Sequence, residues 1–321
     1  MKPNMANLYL THKCNRGCPF CFARDVLKES GRLDEILTID EITRFLDHYG
    51  RQVDAVGLLG GEPFLYPHFD EMLRLLLSRG VFAKVFTSGT NPLPAPLDEM
   101  TFKDVLGKMS FVVNVGTADT YNERQYSNLE NLLTRFGPVC SLSFTIFDLT
   151  ADPTYLFDLI DRFHLNRDIR VGIALPIFNG GNACIEKERY KEAGDYFIRA
   201  VKMAAERQIS LSMDCGFTAC MFTTEQIGAM LSRGTEINFM CGAAMDVGPG
   251  LKVWNCFPLF QLGKLNALDY CDIEELRAAL VENTDSQLAD VPGIFEECTD
   301  CDMRLRRFCD GGCKSFKSIK H

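Results

Sequence analysis

The sequence predicts an α/β chain in which a parallel sheet carries helices on its outside and is followed by a small cysteine-organised module. Three observations predict it. Strand-like and helix-like segments alternate over roughly the first 210 residues, the two sharpest motifs each stand directly after a strand, and ten of the fourteen cysteines fall in the last 140 residues.

The elements follow in order. Residues 6–11 (ANLYLT) are a short buried strand that runs straight into the first cysteine. Thr38 and Glu41 form a capping-box signature, after which Ile42, Phe45, Leu46 and Tyr49 repeat at helical spacing before Gly50. A strand at 54–59 and a helix at 68–79 follow, the helix sharing Phe69, Met72, Leu73, Leu76 and Leu77 on one face and stopping at Gly80. The next strand is 81–87. Further strands are expected at 110–115, 139–147 and 169–175, with helices near 98–107, 121–135, 153–164 and 186–207. The Pro-dense segment Asn91–Pro96 reads as a rigid surface connection. Six such units admit either an open doubly wound sheet or a full or partial barrel, and in both the ligands sit at the C-terminal strand ends.

From about residue 209 the character changes. Apolar runs shorten, Cys, Gly and Pro become frequent, and a hairpin is expected at 244–256 around Gly248–Gly250. The chain therefore divides into 1–208 and a smaller module, 209–321.

Composition narrows the function. The chain has 321 residues, 46% hydrophobic and 24% charged, enough for a sizeable core. The net charge of −9 without a long Lys/Arg block argues against a nucleic-acid partner. No apolar run approaches a membrane span of about 18 residues, and the N-terminus lacks the marks of a signal peptide, so a cytoplasmic protein is expected. In that reducing compartment fourteen cysteines are not explained by disulfides.

The segment Cys14-Asn15-Arg16-Gly17-Cys18-Pro19-Phe20-Cys21 puts three thiols within eight residues. A 4Fe–4S cluster normally takes four cysteines, so three leave one iron open. Zinc, with His12 nearby, is the rival occupant. The segment resembles the CxxxCxxC signature of the radical S-adenosylmethionine (SAM) superfamily. That resemblance implies a partial (β/α)6 TIM-like barrel, SAM on the open iron, and reductive cleavage of SAM to a radical that abstracts a substrate hydrogen. It also places Phe20 against the adenine. Gly60-Gly61-Glu62-Pro63, directly after the 54–59 strand, looks like the family's GGEP motif, which holds the SAM amino group. There the glycines would allow close backbone approach. Ser88, in Thr87-Ser88-Gly89-Thr90, and Asn114, in the fourth strand, are similar to further SAM contacts. At the sixth strand Val171-Gly172-Ile173-Ala174 is the nearest counterpart of the family's glycine motif.

Cys241 and Cys256 are separated by fourteen residues that hold the hairpin, and Cys298, Cys301, Cys309 and Cys313 follow. This resembles the SPASM extension of peptide- and protein-modifying radical SAM enzymes, and implies one or two auxiliary 4Fe–4S clusters. By analogy Cys241, Cys256 and Cys313 bind the nearer cluster and Cys298, Cys301 and Cys309 the farther one. The sequence departs from the usual pattern in three ways. The glycine before Cys256 is one residue farther off, the seven-residue gap between Cys301 and Cys309 is longer than usual, and no cysteine follows Cys313. Zinc is a rival here too. Cys215 and Cys220 are candidates for a cluster ligand or a hydrogen-atom donor, with small core residues as the bland reading. Cys140, Cys184 and Cys271 are assigned to packing, and Asp214, Glu225 and Asp246 are candidate polar contacts.

The resemblance implies modification of a ribosomally made peptide, by a thioether or carbon–carbon crosslink or by epimerisation. The alternatives are a sulfatase-activating type of maturase or a dehydrogenase of a small carbohydrate, and a zinc-structured binding protein is the reading from another class. Phe257 stands where the sulfatase-activating relatives carry an Asp. A peptide or protein substrate and an electron donor such as flavodoxin or ferredoxin are the expected partners. Only thirteen residues precede Cys14, so either a separate leader-peptide-binding protein is expected or the barrel and the C-terminal module hold the substrate alone.

Overall fold

The computed structural model describes residues 5–24, 34–177, 181–288 and 292–318. In chain order the elements are β1 (Met5–Tyr9), α1 (Ile39–Tyr49), β2 (Ala55–Leu59), α2 (Phe69–Ser78), β3 (Phe82–Thr87), the short helical turns α3 (Ala95–Asp98) and α4 (Phe102–Val105), β4 (Met109–Asn114) and α5 (Glu123–Phe136). They continue with β5 (Cys140–Ile146), α6 (Thr154–Phe163), β6 (Asp168–Ile173), α7 (Tyr190–Glu206), β7 (Ser210–Met213), α8 (Thr224–Leu231), β8 (Asp246–Gly248), β9 (Lys252–Trp254), β10 (Leu265–Asn266), α9 (Ile273–Gln287), α10 (Asp302–Leu305) and α11 (Lys314–Ser318).

Two compact units emerge, each assembled from three stretches of chain. The first takes Met1–Arg16, Ala23–Cys140 and Ala243–Gln287; the second takes Gly17–Phe22, Ser141–Gly242 and Leu288–His321.

In the first unit the strands run in the order β10-β9-β8-β1-β2-β3-β4. The pairs from β8 through β1, β2, β3 and β4 are parallel, and the β8–β9 and β9–β10 pairs are antiparallel. Both β1 and β2 are buried over nearly their whole length, as strands covered on both faces must be. The amphipathic face expected on α1 is the buried one, Ile42, Phe45, Leu46 and Tyr49. Its capping box forms as read, with Thr38 N–H donating to Glu41 at 2.8 Å and Glu41 N–H to Thr38 Oγ1 at 3.2 Å. Glu41 does a second job: its other oxygen accepts the N–H of Gly250 at 2.6 Å, so one carboxylate starts α1 and holds the β8–β9 turn.

The hairpin itself forms where the sequence places it, with Trp254 of β9 opposite Asp246 of β8. Around it Tyr9, Trp254, Phe257 and Phe260 stack with centroids 4.4–5.9 Å apart. Aromatic pairs at such distances add about 0.5–1.5 kcal/mol each beyond their buried area.

Two expectations in this unit are corrected. Instead of one helix near 98–107 there are two helical turns, because Thr101 breaks the run and caps a new turn through Asp104. The Asn91–Pro96 segment is a surface connection only in part, since Pro92 and Ala95 are exposed while Asn91, Leu93 and Pro96 are buried.

The second unit carries β5, β6 and β7 side by side and parallel, with Thr145 in register with Gly172 and Val171 with Met213. All three alternate buried and half-buried residues. Helix α7 buries nine residues, among them Tyr190 and Phe197, and the latter meets Phe217 at 4.8 Å. No helix among the described residues is long and apolar enough to cross a membrane.

Candidate active site

The first unit brings Gly60, Gly61, Glu62, Pro63 and Ser88 together at the C-terminal ends of β2 and β3. Tyr9 of β1 is in register with Leu59 of β2, and the pairing continues beyond both strands. Leu10 N–H donates to Leu59, Gly61 N–H to Thr11 and Glu62 N–H to Lys13, each at 2.8 Å. The segment that delivers Cys14 is thus zipped to the GGEP turn. A side chain on Gly61 would place its Cβ 2.3 Å from the Lys13 carbonyl oxygen, and one on Gly60 2.6 Å from that of Thr11. The glycines are therefore required by the approach of the cysteine segment itself, a reason the motif alone does not reveal.

Glu62 is almost fully buried, at 2% exposure. Its Oε1 accepts the Thr87 hydroxyl at 2.6 Å and Phe64 N–H at 3.3 Å, and its Oε2 accepts Ser88 N–H at 2.9 Å and the Ser88 hydroxyl at 2.7 Å. Pro63 opens the 3₁₀ turn that Glu62 caps. The arrangement fixes a carboxylate at the strand ends, the chemistry that an ammonium group calls for. Asn114 closes β4 with its side chain exposed.

The cysteine loop is held by polar contacts in each unit. Cys14 belongs to the first, where Arg16 N–H lies 3.4 Å from its Sγ. Asn15 and Asn91 exchange amide hydrogen bonds at 3.0 and 3.1 Å, and the Arg16 guanidinium lies 4.4 Å from the Tyr121 ring centre and donates to the Thr120 carbonyl. Cys18, Phe20 and Cys21 belong to the second unit. There Ala183 N–H donates to the Pro19 carbonyl at 2.8 Å, Asn182 links the Phe20 and Leu175 carbonyls, and Phe20 packs on Phe147 at 4.9 Å. All three cysteines are half-buried. Among the described residues no three His, Cys, Asp or Glu side chains are gathered tightly enough for a single metal ion. A cluster of four irons is wider than one ion and does not need its ligands that close.

The C-terminal cysteines of the second unit show an environment fitted to sulfur anions. Cys241 and Cys313 share a hydrogen bond, which with the Lys314 N–H and ammonium holds Cys241 well below the usual thiol range, against burial and the Asp310 carboxylate. Asp310 also accepts Cys241 N–H at 2.6 Å. Ser315 N–H lies 3.4 Å from Cys313 Sγ, and Gly311 N–H lies 3.4 Å from Cys309 Sγ. Gly311 has a left-handed φ of +74°, and a Cβ there would meet the Cys298 sulfur at 3.5 Å and Gly293 Cα at 2.9 Å. Cys298 is buried, and Cys301 is half-buried at the start of α10. Cys256 stands in the first unit, just past β9.

The remaining candidates separate. Cys215 follows Asp214, which pairs with Arg170 at 2.6 Å. Cys215 keeps accessible surface, while the surrounding protein and then the Asp214 carboxylate push its thiol up. Cys220 is exposed in the turn after β7, 3.2 Å from the Thr218 hydroxyl. Of the three cysteines assigned to packing, Cys140 is buried, Cys184 half-buried and Cys271 exposed, so packing does not account for Cys271. Glu225 lies exposed in the first turn of α8, whereas Asp246 is buried in the sheet and accepts an amide hydrogen bond from Asn7 at 2.8 Å. Sequence reasoning missed Asn15 and Asn91. Neither carries a motif.

Comparison with known proteins agrees with this geometry. Residues 8–107 match the Radical SAM superfamily. Proteins named S-adenosylmethionine-dependent nucleotide dehydratase, from Thermoplasmatales archaeon (strain ISO4-H5) and Selenomonas ruminantium, are 36% and 27% identical over 26% and 46% of this chain. A PqqA peptide cyclase from Ruegeria pomeroyi is 32% identical over 28% of it. The chain spans 29%, 57% and 24% of the lengths of these relatives. Two solved structures share the fold over nearly all of the chain. Streptococcus suis SuiB bound to S-adenosylmethionine covers 98% of this chain and 73% of its own length, with a TM-score of 0.68 at 16% identity. anSMEcpe with bound AdoMet covers 100% and 91%, with a TM-score of 0.67 at 14% identity. The match over residues 8–107 takes in the cysteine loop and the buried Glu62, the part of this chain that is similar to the Radical SAM superfamily.

Proposed function

We propose that the chain is an enzyme that cleaves SAM reductively and abstracts a hydrogen atom from a ribosomally made peptide, leading to a thioether or carbon–carbon crosslink or to epimerisation. The observation that carries the SAM part is the Glu62 carboxylate, buried at the strand ends beside the segment that delivers Cys14. Cys14, Cys18 and Cys21 would hold the 4Fe–4S cluster and leave one iron for SAM. When bound, that pair supplies the 5′-deoxyadenosyl radical. The chain's own residues position it. Glu62, oriented by Ser88 and Thr87, receives the SAM ammonium, Gly60 and Gly61 keep the turn against the cysteine segment, and Phe20 and Asn114 offer surfaces for adenine and ribose.

The peptide part is supported by the fold shared with SuiB, one of whose structures is bound to the precursor peptide SuiA, and by the sulfur-anion environment around Cys241, Cys309 and Cys313. Cys241, Cys256, Cys298, Cys301, Cys309 and Cys313 would hold auxiliary clusters. A flavodoxin or ferredoxin would deliver the electron in the cytoplasm, and a separate protein could present the leader peptide. A second reading, action on a nucleotide, is favoured by the names of the two dehydratase relatives.

The reconstituted, reduced chain should form 5′-deoxyadenosine from SAM, and a Cys14, Cys18 and Cys21 triple Ala variant should not. Short peptides encoded beside the gene should speed that formation. Stimulation by nucleotides instead would replace the peptide reading, and an active triple variant would remove the SAM chemistry from these cysteines.

A further inference from the structure

We propose that the row Thr145, Gly172 and Asp214, at the C-terminal ends of β5, β6 and β7, receives a basic side chain of the substrate, a Lys ammonium or an Arg guanidinium, with Arg170 positioning Asp214. The inference names the substrate class within the peptide reading above and rests on it. All four residues lie in the second unit.

Parallel strands are ordinarily covered on both faces and apolar on both. Strands β5, β6 and β7 depart from this. Phe144, Val171 and Leu211 turn to one side, where they line an apolar gap with Phe157 of α6 and Phe197 of α7. The alternate positions, among them Thr145, Asp168, Arg170, Gly172, Ser210 and Ser212, turn to the other side and are half-buried. There Asp168 accepts the hydroxyls of Ser210 and Ser212 at 3.1 and 3.2 Å, and Asp214 accepts Arg170 at 2.6 Å. Two carboxylates thus stand against one guanidinium on this face, which leaves a negative charge for a cation.

The glycine marks where the cation enters. Thr145 is in register with Gly172, and Arg170 with Ser212, so Gly172 stands level with Asp214. The ladder continues there, Asp214 N–H donating to the Val171 carbonyl at 2.7 Å and Ile173 N–H to that of Cys215 at 2.9 Å. A glycine inside a strand marks a bulge or a close approach of backbone or ligand. Here a Cβ would meet nothing nearer than Asp214 Oδ2 and the Cys215 carbonyl oxygen, both at 3.7 Å, which is ordinary contact. Gly61 is required by the cysteine segment, but no atom among the described residues requires Gly172. The space over it is bordered most closely by a carboxylate oxygen and a carbonyl oxygen, two acceptors, which suit an N–H-bearing cation. A phosphate would set its own negative charge against both.

The test measures binding to the reconstituted full chain, with saturating SAM, by fluorescence anisotropy. The probes are dye-labelled octapeptide pools with random uncharged flanks and a fixed central Lys, Gln or Glu. The Lys pool should bind about tenfold more tightly than the Gln pool, and the Glu pool more weakly than either. Asp214→Asn, whose amide oxygen can still accept from Arg170, should abolish the preference for Lys. Gly172→Ala should reduce it severalfold while the melting temperature stays at or above that of the wild type, because the methyl fits the chain but fills the space. Equal binding of the Lys and Gln pools overturns the proposal, as does a preference undiminished in both variants. Weakened SAM binding in Asp214→Asn, read by calorimetric titration, gives the space to SAM and overturns it too. Failure of every pool to bind the wild type removes the peptide reading itself.

Discussion

Glu62 accepts both hydrogen-bond donors of Ser88 through one carboxylate oxygen, the backbone N–H at 2.9 Å and the hydroxyl at 2.7 Å. Its other oxygen accepts the Phe64 N–H. A hydroxyl can rotate away, but two backbone N–H groups cannot. Glu62→Gln must therefore set its NH₂ against one of them, at a cost of about 1–3 kcal/mol. The variant should unfold at lower denaturant concentration, and calorimetric titration should show SAM binding weakened by about tenfold or more, about 1.4 kcal/mol.

Asn15 and Asn91 lock the loop after Cys14 to the segment after β3. Asn91→Ala leaves the Asn15 amide without its partner and should release iron from the first cluster to a chelator several times faster than wild type. Iron bound by the C-terminal cysteines should leave at the wild-type rate, which distinguishes a loosened loop from general unfolding.

Two glycines of the motifs should respond in opposite ways. Gly61→Ala puts a Cβ 2.3 Å from the Lys13 carbonyl oxygen, a backbone atom that moves only with the cysteine segment. It should lower the melting temperature and the iron content together. At Gly17 a Cβ would meet no atom within 4 Å, so Gly17→Ala should fold with an unchanged melting temperature.

Burial pushes Asp246 up to about 7 from 3.8, the Asn7 amide acting the other way. Between these values the folded chain keeps a proton that the unfolded chain releases. Its contribution is fully present below about pH 4 and is lost as the pH rises through 7, with a slope of about 1.4 kcal/mol per pH unit in that window. Asp246→Asn should flatten the stability profile measured by urea unfolding across the same window.

Tyr190→Phe removes a buried hydroxyl that lacks a protein partner among the described residues. In the cluster-free chain it should raise stability by about 1 kcal/mol.

The parts legible in the sequence are those fixed by local chemistry. Thr38 and Glu41 predicted the start of α1 because a capping box is complete within four residues, and the GGEP turn stands after β2 because both glycines and the preceding strand are contiguous. The parts that escaped depend on distant partners. The hairpin strand β8 was legible, but its parallel pairing with β1, some 240 positions earlier in the chain, was not. Helix α9 buries Ile273, Leu276 and Leu280 at helical spacing, but Ala278, Ala279 and Val281 blur the stripe. Asn91 looked like part of a proline-stiffened surface loop because its partner, Asn15, lies 76 residues away.

Strand β1 has β2 on one side and β8 on the other. During synthesis the β2 side can close early, but residues 246–248 leave the ribosome only after some 240 more have been added. At about 5–20 residues per second, the second edge of β1 stands open for tens of seconds. An apolar strand with an unpaired edge invites pairing with another nascent chain. Yield in the cell should therefore depend on chaperone supply and elongation rate more than on the stability of the finished fold.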